Sequence, residues 1–176
     1  RSNFYDQDGK SSKKTLMKTP LNGARLSSGF GNRKHPILGF TKMHRGVDFA
    51  APIGTPIFAA GDGIIEYSGW NGAYGKYIRI KHNSTFKTAY AHLSKIYKKR
   101  GMRIKQGDII GALGSTGRST GPHLHYEILL GGRQVNPLRI KLPSGKQIPK
   151  NELGKFYKKQ EIIDSKIFAM RSEIKN

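Results

Sequence analysis

The sequence predicts a mainly β protein, an antiparallel sandwich or barrel-like domain with a helix at the C-terminal end. Short apolar segments recur between Gly-rich turns such as Gly61–Gly63 and Asn71–Gly75, which is the spacing of antiparallel strands rather than of βαβ units. Ile78 and Ile80 alternate with polar residues, the pattern of a sheet with one solvated face. After Pro143 the apolar spacing becomes that of a helix.

The predicted strands begin after Leu21, and turn-forming residues separate them along the chain. They are Arg25–Ser28, Gly46–Ala50, Pro56–Ala59, Gly63–Ser68, Tyr77–His82, Phe86–His92, Ile109–Leu113, His123–Leu130 and Arg133–Val135. We interpret Gly101–Asp108 as a tight turn that leads into the strand at Ile109.

The C-terminal segment is predicted to form an amphipathic helix that ends near Ser172 and is capped by Asn151. Its apolar positions recur at helical spacing and are Leu153, Phe156, Ile163, Ile167, Met170 and Ile174. Two interpretations of this stripe stay open. It packs on the β domain, which is the simpler one, or it lies on an anionic membrane surface with its Lys-rich face toward the lipid.

Length and composition exclude several classes of protein. The 176 residues suit one domain, and zero Cys excludes a disulfide scaffold and thiolate metal sites. No apolar run approaches the ~20 residues of a membrane-spanning helix, and no signal peptide is present. Because the chain starts at Arg1 rather than Met, we expect a fragment or a processed form, with an export signal or membrane anchor upstream.

The formal net charge of +21 predicts attraction to polyanions. Nucleic acid is the usual partner of so basic a domain, but no recognition helix, Cys/His finger or aromatic RNA-binding signature is present. Cell-wall polymers carry carboxylates and phosphates and are a second partner class. A compositional bias toward Lys explains the charge equally well.

The stretch Gly121–Glu127 predicts a pair of histidines on one face of a strand. Alternate side chains of a strand share a face, so His123 and His125 point one way and Leu124 points the other. Two adjacent imidazoles suit a metal, or a metal and its reacting water. Two ordinary surface or core histidines are the alternative, and the pair alone does not decide between them.

A second stretch adds two metal-ligand types. His44 and Asp48 are four residues apart, and in an extended segment they face the same way; Gly46 argues against a helix. With one histidine of the 123/125 pair they give three ligands, the number found in catalytic zinc sites that keep a fourth position open. Spacing does not tell which histidine of the pair binds the metal. His92 adds a further imidazole on a predicted strand.

These motifs and their flanks resemble the lysostaphin/LytM-type zinc metallopeptidases of the bacterial cell wall. The similar segments lie between about Pro20 and Leu138 and include residues 28–36, 50–56 and 117–125 around the His44/Asp48, His92 and His123/His125 motifs. Met17–Leu21 and Asn136–Leu138 look most like the murein DD-endopeptidases of Gram-negative bacteria.

The resemblance implies a LytM domain with the duplicated hybrid motif and one Zn²⁺ per chain, held by His44, Asp48 and His125. The resemblance also implies that His92 and His123 flank the reacting water. The Glu of the His-Glu-x-x-His zinc peptidases is absent here, and these two histidines are the available replacements for that base. Glu127 shares the face of the histidine pair, and we expect a structural role for it. His35 is expected to line a loop or groove.

The implied activity is zinc-dependent hydrolysis of peptidoglycan peptide cross-links, specifically the D-alanyl–diaminopimelyl bond, by a monomer in the periplasm or cell envelope. The implied partners are stem peptides and cross-links, without specific nucleic acid. A catalytically inactive LytM-like activator of wall amidases is the main alternative, and a basic nucleic-acid-binding β domain is a remote one. The expected division is an extension over 1–20, a peptidase core over 21–140 and a helical tail over 141–176.

Overall fold

The computed structural model describes Gly9 and residues 15–34, 41–142 and 148–173. Two compact units make up the chain: Leu16–Lys141 is one, and Arg1–Thr15 together with Leu142–Asn176 is the other. The three-part division at residues 20 and 140 stays a prediction. His35 lies outside the described residues.

The described residues form twelve strands and one α-helix. The strands are β1 (Arg25–Ser28), β2 (Gly31–Lys34), β3 (Thr41–His44), β4 (Val47–Ala50), β5 (Pro56–Phe58), β6 (Gly63–Trp70), β7 (Lys76–Lys81), β8 (Phe86–Ile96), β9 (Arg103–Ile104), β10 (Ile109–Leu113), β11 (His123–Leu130) and β12 (Arg133–Val135). The helix is α1 (Lys150–Glu173).

One large sheet carries Asp48, His92, His123 and His125. Its order is β1-β4-β11-β8-β7-β6-β9, with β12 beside β11, and β10 joining β8 to β5. A separate hairpin pairs β2 with β3. Every strand pair is antiparallel, so the predicted mainly antiparallel class with one C-terminal helix is confirmed.

The predicted strands are all present, although β6 and β8 extend further, to Trp70 and Ile96. Three strands were not predicted: β2, β3 and β9. The first two form a hairpin whose sequences, GNRK and TKMH, are polar and lack apolar alternation. The third has two residues, inside the segment 101–108 that we interpreted as a turn.

The main core lies on one face of the large sheet, and a smaller cluster of Tyr77, Ala89 and Ala91 packs on the other face. Residues of β11 alternate as predicted, and Leu124, Tyr126 and Ile128 have no exposed surface. Tyr126 pairs with Tyr90 of β8 across the strands, with ring centroids 5.5 Å apart. On the opposite face, small residues of β8 leave room beside β11: Ala91 stands opposite His125 and Ala89 opposite Glu127.

Helix α1 begins at Lys150, so Asn151 lies in its first turn and the prediction that Asn151 caps the helix was wrong. The amides of Glu152 and Leu153 donate to the Pro149 carbonyl, which places the start of the helix before Asn151. Side chains of the predicted stripe are exposed at Ile163, Ile167 and Met170. Among the described residues, no helix combines the length and apolarity that crossing a membrane requires.

Candidate active site

Strand pairing brings Asp48 and His125 together. In the register between β4 and β11, Asp48 stands directly opposite His125, and His123 stands opposite Ala50. Opposed residues in adjacent strands have neighbouring side chains, so the carboxylate and the imidazole meet on the same face. The Asp48 Oδ1 atom lies 2.9 Å from His125 Nδ1.

His44 reaches this pair from a different sheet. It ends β3, while Asp48 belongs to β4, so the two residues do not lie on one continuous extended segment as predicted; the backbone bends at Gly46, and the two side chains still meet. A Cβ at Gly46 would lie 2.6 Å from the Tyr126 carbonyl oxygen and 2.7 Å from His125 Cε1. Only glycine therefore lets the chain pass this close to His125.

Three donor atoms converge from these elements. His44 Nε2 lies 3.0 Å from Asp48 Oδ1 and 3.0 Å from His125 Nδ1, and the three residues form a group that could hold a metal ion. Ligand atoms around a tetrahedral zinc are separated by about 3.3 Å. The observed spacing is close to this value, and all three side chains are largely buried.

The hydrogen bonds on the outer side of both imidazoles fix which nitrogen faces the group. His44 Nδ1 lies 2.7 Å from the Gly29 carbonyl oxygen, and His125 Nε2 lies 2.9 Å from Glu127 Oε1. Each of these nitrogens must carry the proton to donate, so the inward nitrogens of the neutral rings are lone pairs. Two inward nitrogens and a carboxylate oxygen about 3.0 Å apart can share a proton or hold a metal ion, and the donor set fits zinc.

Glu127 supports His125 from behind. Its Oε1 accepts the Tyr74 hydroxyl at 2.9 Å, and Gln134 donates to Oε2 at 3.3 Å. We expected a structural role for Glu127. Because Glu127 contacts His125, that role is to support a proposed metal ligand. Burial raises the pKa of Glu127, but the bonds from His125, Tyr74 and Gln134 outweigh this and lower it.

The pKa of His125 is raised to about 9 in the metal-free protein. Burial alone would lower it, and the hydrogen bonds and charges of Asp48 and Glu127 more than offset the burial. Without a metal ion, a proton on His125 thus supplies positive charge between the three converging ligand atoms. Burial also raises the pKa of Tyr74, as does the neighbouring Glu127 carboxylate, while the charge of Arg45 acts in the opposite direction.

His92 is directed toward the site by a backbone distortion. It has φ of 61°, and among the described residues it is the only one other than glycine with a positive φ. The register between β7 and β8 shifts between the pairs Lys76↔Leu93 and Ile78↔Tyr90, which places a bulge at His92. Such conformations cost about 1–3 kcal/mol and concentrate at functional sites.

The His92 ring is fixed in one tautomer. Its Nδ1 donates to the Thr116 carbonyl oxygen at 2.8 Å, so Nε2 is the nitrogen that can accept a proton. Burial lowers the pKa of His92, and the nearby histidines act in the same direction. The ring is therefore neutral at pH 7.

His123 has the same arrangement. Its Nδ1 donates to the Gly121 carbonyl oxygen at 2.8 Å and lies 3.2 Å from Ser119 Oγ, which again leaves Nε2 as the acceptor. The rings of His92 and His123 are adjacent, with centroids 4.6 Å apart. The five predicted site residues thus meet in one place.

These residues line a cavity of about 700 Å³. Its lining comprises Met43, His44, Arg45, Asp48, Ala73, Tyr74, His92, Arg118, Ser119, Thr120, His123, His125 and Glu127. The volume is typical of sites that bind small ligands or peptide segments. The Arg118–Gly121 loop, for which a plain turn and a substrate-binding role were both open, contributes three of its residues to the lining.

Four lining residues were not singled out from the sequence: Met43, Arg45, Ala73 and Tyr74. Tyr74 lies in a short 3-10 turn, Gly72–Tyr74, within a segment that we interpreted only as a Gly-rich separator between strands. An aromatic residue inside such a turn is the one signal that could have identified it. His82, which has the appearance of a solvated strand end in the sequence, is half-buried instead, with its ring nitrogens 2.7 Å from the Asp62 carbonyl and 2.8 Å from Thr88 Oγ1.

Comparison with known proteins agrees with this geometry. Residues 42–137 match the model of peptidase family M23. The chain is 49% identical over 147 residues to the peptidoglycan DD-endopeptidase ShyC of Vibrio cholerae, covering 83% of this chain and 34% of the relative. It is 47% identical over 141 residues to the DD-carboxypeptidase/endopeptidase Mpg of Neisseria meningitidis, covering 79% of this chain and 33% of the relative. The chain therefore spans about a third of the length of these curated relatives.

Solved structures extend the comparison to the fold. A zinc-containing peptidase from Vibrio cholerae superposes with a TM-score of 0.71 at 39% identity, covering 80% of this chain and 47% of that one. The catalytic domain of lysostaphin from Staphylococcus simulans superposes with a TM-score of 0.61 at 38% identity, covering 67% of this chain and 92% of that one. By its family match, its relatives and its fold, the chain belongs to peptidase family M23.

Proposed function

We propose that this chain is a zinc-dependent endopeptidase that hydrolyses the D-alanyl–diaminopimelyl cross-link of peptidoglycan. The observation that carries the proposal is the convergence of His44 Nε2, Asp48 Oδ1 and His125 Nδ1 within 3.0 Å, with both imidazole lone pairs directed inward. These three residues would hold one zinc ion per chain. ShyC and Mpg, which carry endopeptidase in their names, support the bond type.

Bound zinc polarises a carbonyl group and lowers the pKa of water toward ~7, which makes a nucleophile available at neutral pH. The remaining tasks fall to the chain's own residues. Amide hydrolysis needs a base for the proton of the attacking water and an acid for the leaving nitrogen. We assign these tasks to Nε2 of His92 and of His123, which line the same cavity as the metal group.

The fixed tautomers suit these roles. The Thr116 and Gly121 carbonyls hold the Nδ1 protons of His92 and His123, so each ring accepts a proton at Nε2 without first changing tautomer. The lowered pKa of His92, caused mainly by burial, keeps this base unprotonated at neutral pH. A protonated ring can then return the proton to the leaving amine.

An inactive wall-binding activator is the second candidate, and the site disfavours it. Such modules lack one or more of the functional side chains, whereas all five positions are filled here and lie together. A nucleic-acid-binding domain would explain the +21 charge but not the convergence of three metal-ligating groups.

We further propose that the protein acts as a monomer in the periplasm or cell envelope, where stem peptides and cross-links are its partners. Peptidoglycan is located there in Gram-negative cells, and the relatives named above come from such bacteria. The positive charge would attract the anionic wall, although a compositional bias toward Lys accounts for it equally well.

Digestion of muropeptide dimers of known linkage tests the proposal. The zinc-loaded chain should release monomers from dimers joined by the D-alanyl–diaminopimelyl bond, and mass spectrometry of the fragments identifies the bond cut. His44→Ala should release none, because a metal ligand is missing. If the wild-type chain carries zinc and leaves every dimer intact, the activator function is the better conclusion.

A further inference from the structure

Two arginines border the cavity beside the metal group. Arg45 lies between β3 and β4, next to His44, and Arg118 lies in the loop that leads to β11. Both side chains are exposed. Among the residues that the structure describes, neither guanidinium group forms an ion pair with a carboxylate, whereas Arg79 is paired with Glu66 at 2.6 Å.

The backbone holds both arginines in place. Arg45 precedes Gly46, which approaches the Tyr126 carbonyl so closely that no Cβ fits. Arg118 follows Gly117, whose φ is 73° and where a Cβ would lie 2.4 Å from the Gly75 nitrogen. The Arg118 amide donates to the Ala73 carbonyl at 2.8 Å, which fastens the loop to the turn that carries Tyr74. The cationic groups therefore extend from preorganised positions.

The acidic groups of the cavity are already engaged. Asp48 contacts His44 and His125, and Glu127 accepts hydrogen bonds from His125 and Tyr74. A zinc ion held by the metal group would balance the negative charges of Asp48 and Glu127. The two arginines therefore give the cavity an excess of positive charge. Two guanidinium groups beside a peptide-sized cavity favour a ligand with a carboxylate, which the planar fork of arginine binds through two parallel hydrogen bonds.

We propose that Arg45 and Arg118 form a carboxylate subsite that selects the substrate. The ligand is the free carboxylate of the diaminopimelyl residue whose amine forms the cross-link. This carboxylate is attached to the carbon that bears the scissile nitrogen, so a cross-link placed at the metal group presents it next to the cavity rim. The inference rests on the proposed function, since it assumes that the cross-link occupies this cavity.

A pair of dimers tests the subsite, one native and one with that carboxylate converted to an amide. The wild-type chain should cleave the native dimer with a kcat/KM about 10- to 100-fold higher, the amount expected for a hydrogen-bonded charge pair. Arg45→Gln and Arg118→Gln should each lose much of this preference through KM on the native dimer and leave the amidated dimer nearly unchanged. Arg100→Gln, an exposed arginine outside the cavity lining, should change neither.

The native dimer has a second free carboxylate, that of the terminal D-alanine of the stem peptide. A third dimer, which lacks this group, tests whether the arginines bind it instead of the diaminopimelyl carboxylate. If the arginine variants lose their effect on this dimer and keep it on the amidated one, the assignment to the diaminopimelyl group is wrong. If both variants slow all dimers equally, or none, the subsite itself is refuted.

Binding measurements separate this inference from the proposed function. If the wild-type chain cleaves no dimer, the proposed function fails, and calorimetry with the uncut dimers still decides the subsite. The subsite would be supported if the wild-type chain has a lower Kd for the native dimer than for the amidated dimer and if Arg45→Gln and Arg118→Gln each lose this difference. Equal affinity of the wild-type chain for the native and amidated dimers would overturn it.

Discussion

The two faces of strand β11 differ sharply in what they contact. The cavity face carries His123, His125 and Glu127, and the core face carries Leu124, Tyr126 and Ile128. Each cavity-facing side chain is held by a polar partner, whereas the core-facing residues are packed without exposed surface. Because adjacent residues of a strand point in opposite directions, residues that line the cavity alternate along β11 with residues that stabilise the core.

This separation predicts that substitutions on the two faces have different consequences. On the cavity face we expect loss of zinc or of catalysis with the fold retained. On the core face we expect loss of stability with the chemistry retained.

Asp48→Ala should abolish zinc binding and cleavage together. The change leaves His44 and His125 as the only ligands of the proposed site and removes the carboxylate that would balance part of the charge of the zinc ion. Elemental analysis of the purified protein and muropeptide digestion measure the two losses. Glu66→Ala removes a carboxylate that pairs with Arg79 and Lys87 instead, and it should keep its zinc. Full zinc content in Asp48→Ala would refute the ligand assignment.

Ile128→Ala should lower the free energy of unfolding by about 2–5 kcal/mol, the range for truncating a fully buried aliphatic side chain. Urea denaturation measures this change. At a temperature where the variant stays folded, its zinc content and kcat should equal those of the wild type, since Ile128 faces away from the cavity. Loss of zinc from the folded variant would show that the two faces are not independent.

Glu127→Ala should weaken zinc affinity about 10- to 100-fold, because His125 loses the acceptor that orients its ring and fixes its tautomer. Competition with a chelator of known affinity provides the measurement. Glu127→Gln retains an oxygen that can accept the same hydrogen bond and should lose less. An affinity of Glu127→Ala equal to that of the wild type would mean that the ring is held by other contacts.

Zinc binding should release a proton at pH 7.5. Because the pKa of His125 is raised to about 9, against an ordinary value near 6.5, the metal-free protein carries this proton until the pH exceeds 9. The proton's contribution to stability is complete below about pH 6.5 and is lost as the pH rises through about 9. Calorimetry in buffers of different ionisation enthalpy should detect more protons released per zinc at pH 7.5 than at pH 10, where His125 is already deprotonated and only a zinc-bound water would ionise; equal release at the two pH values would contradict the raised pKa.

The sequence predicted the cavity face of β11 because a strand's alternation is a local property. His123 and His125 follow a Gly-Pro turn, and their shared face is independent of the other strands. The core positions between them follow from the same alternation. The exact bounds of β11, His123–Leu130, were predicted for this reason.

The remaining parts of the site depend on pairing between distant segments. The register that places Asp48 opposite His125, the bulge that directs His92, and the separate hairpin that ends at His44 are all set by tertiary contacts. Hydrophobic patterning carries no signal for the polar hairpin or for a positive φ at a histidine. Spacing also left open which histidine of the pair binds metal, a choice that only the resemblance made.

The strand-mates His123 and His125 share a face, and we propose that they have different tasks. Bound zinc and cross-link cleavage, measured together for His123→Ala and His125→Ala, separate the two tasks. We predict that His125→Ala loses both, and that His123→Ala keeps its zinc while kcat falls by about 10²–10⁴, the usual contribution of general acid–base catalysis. A His123→Ala protein without zinc, beside a His125→Ala protein that retains it, would show that the two roles are reversed.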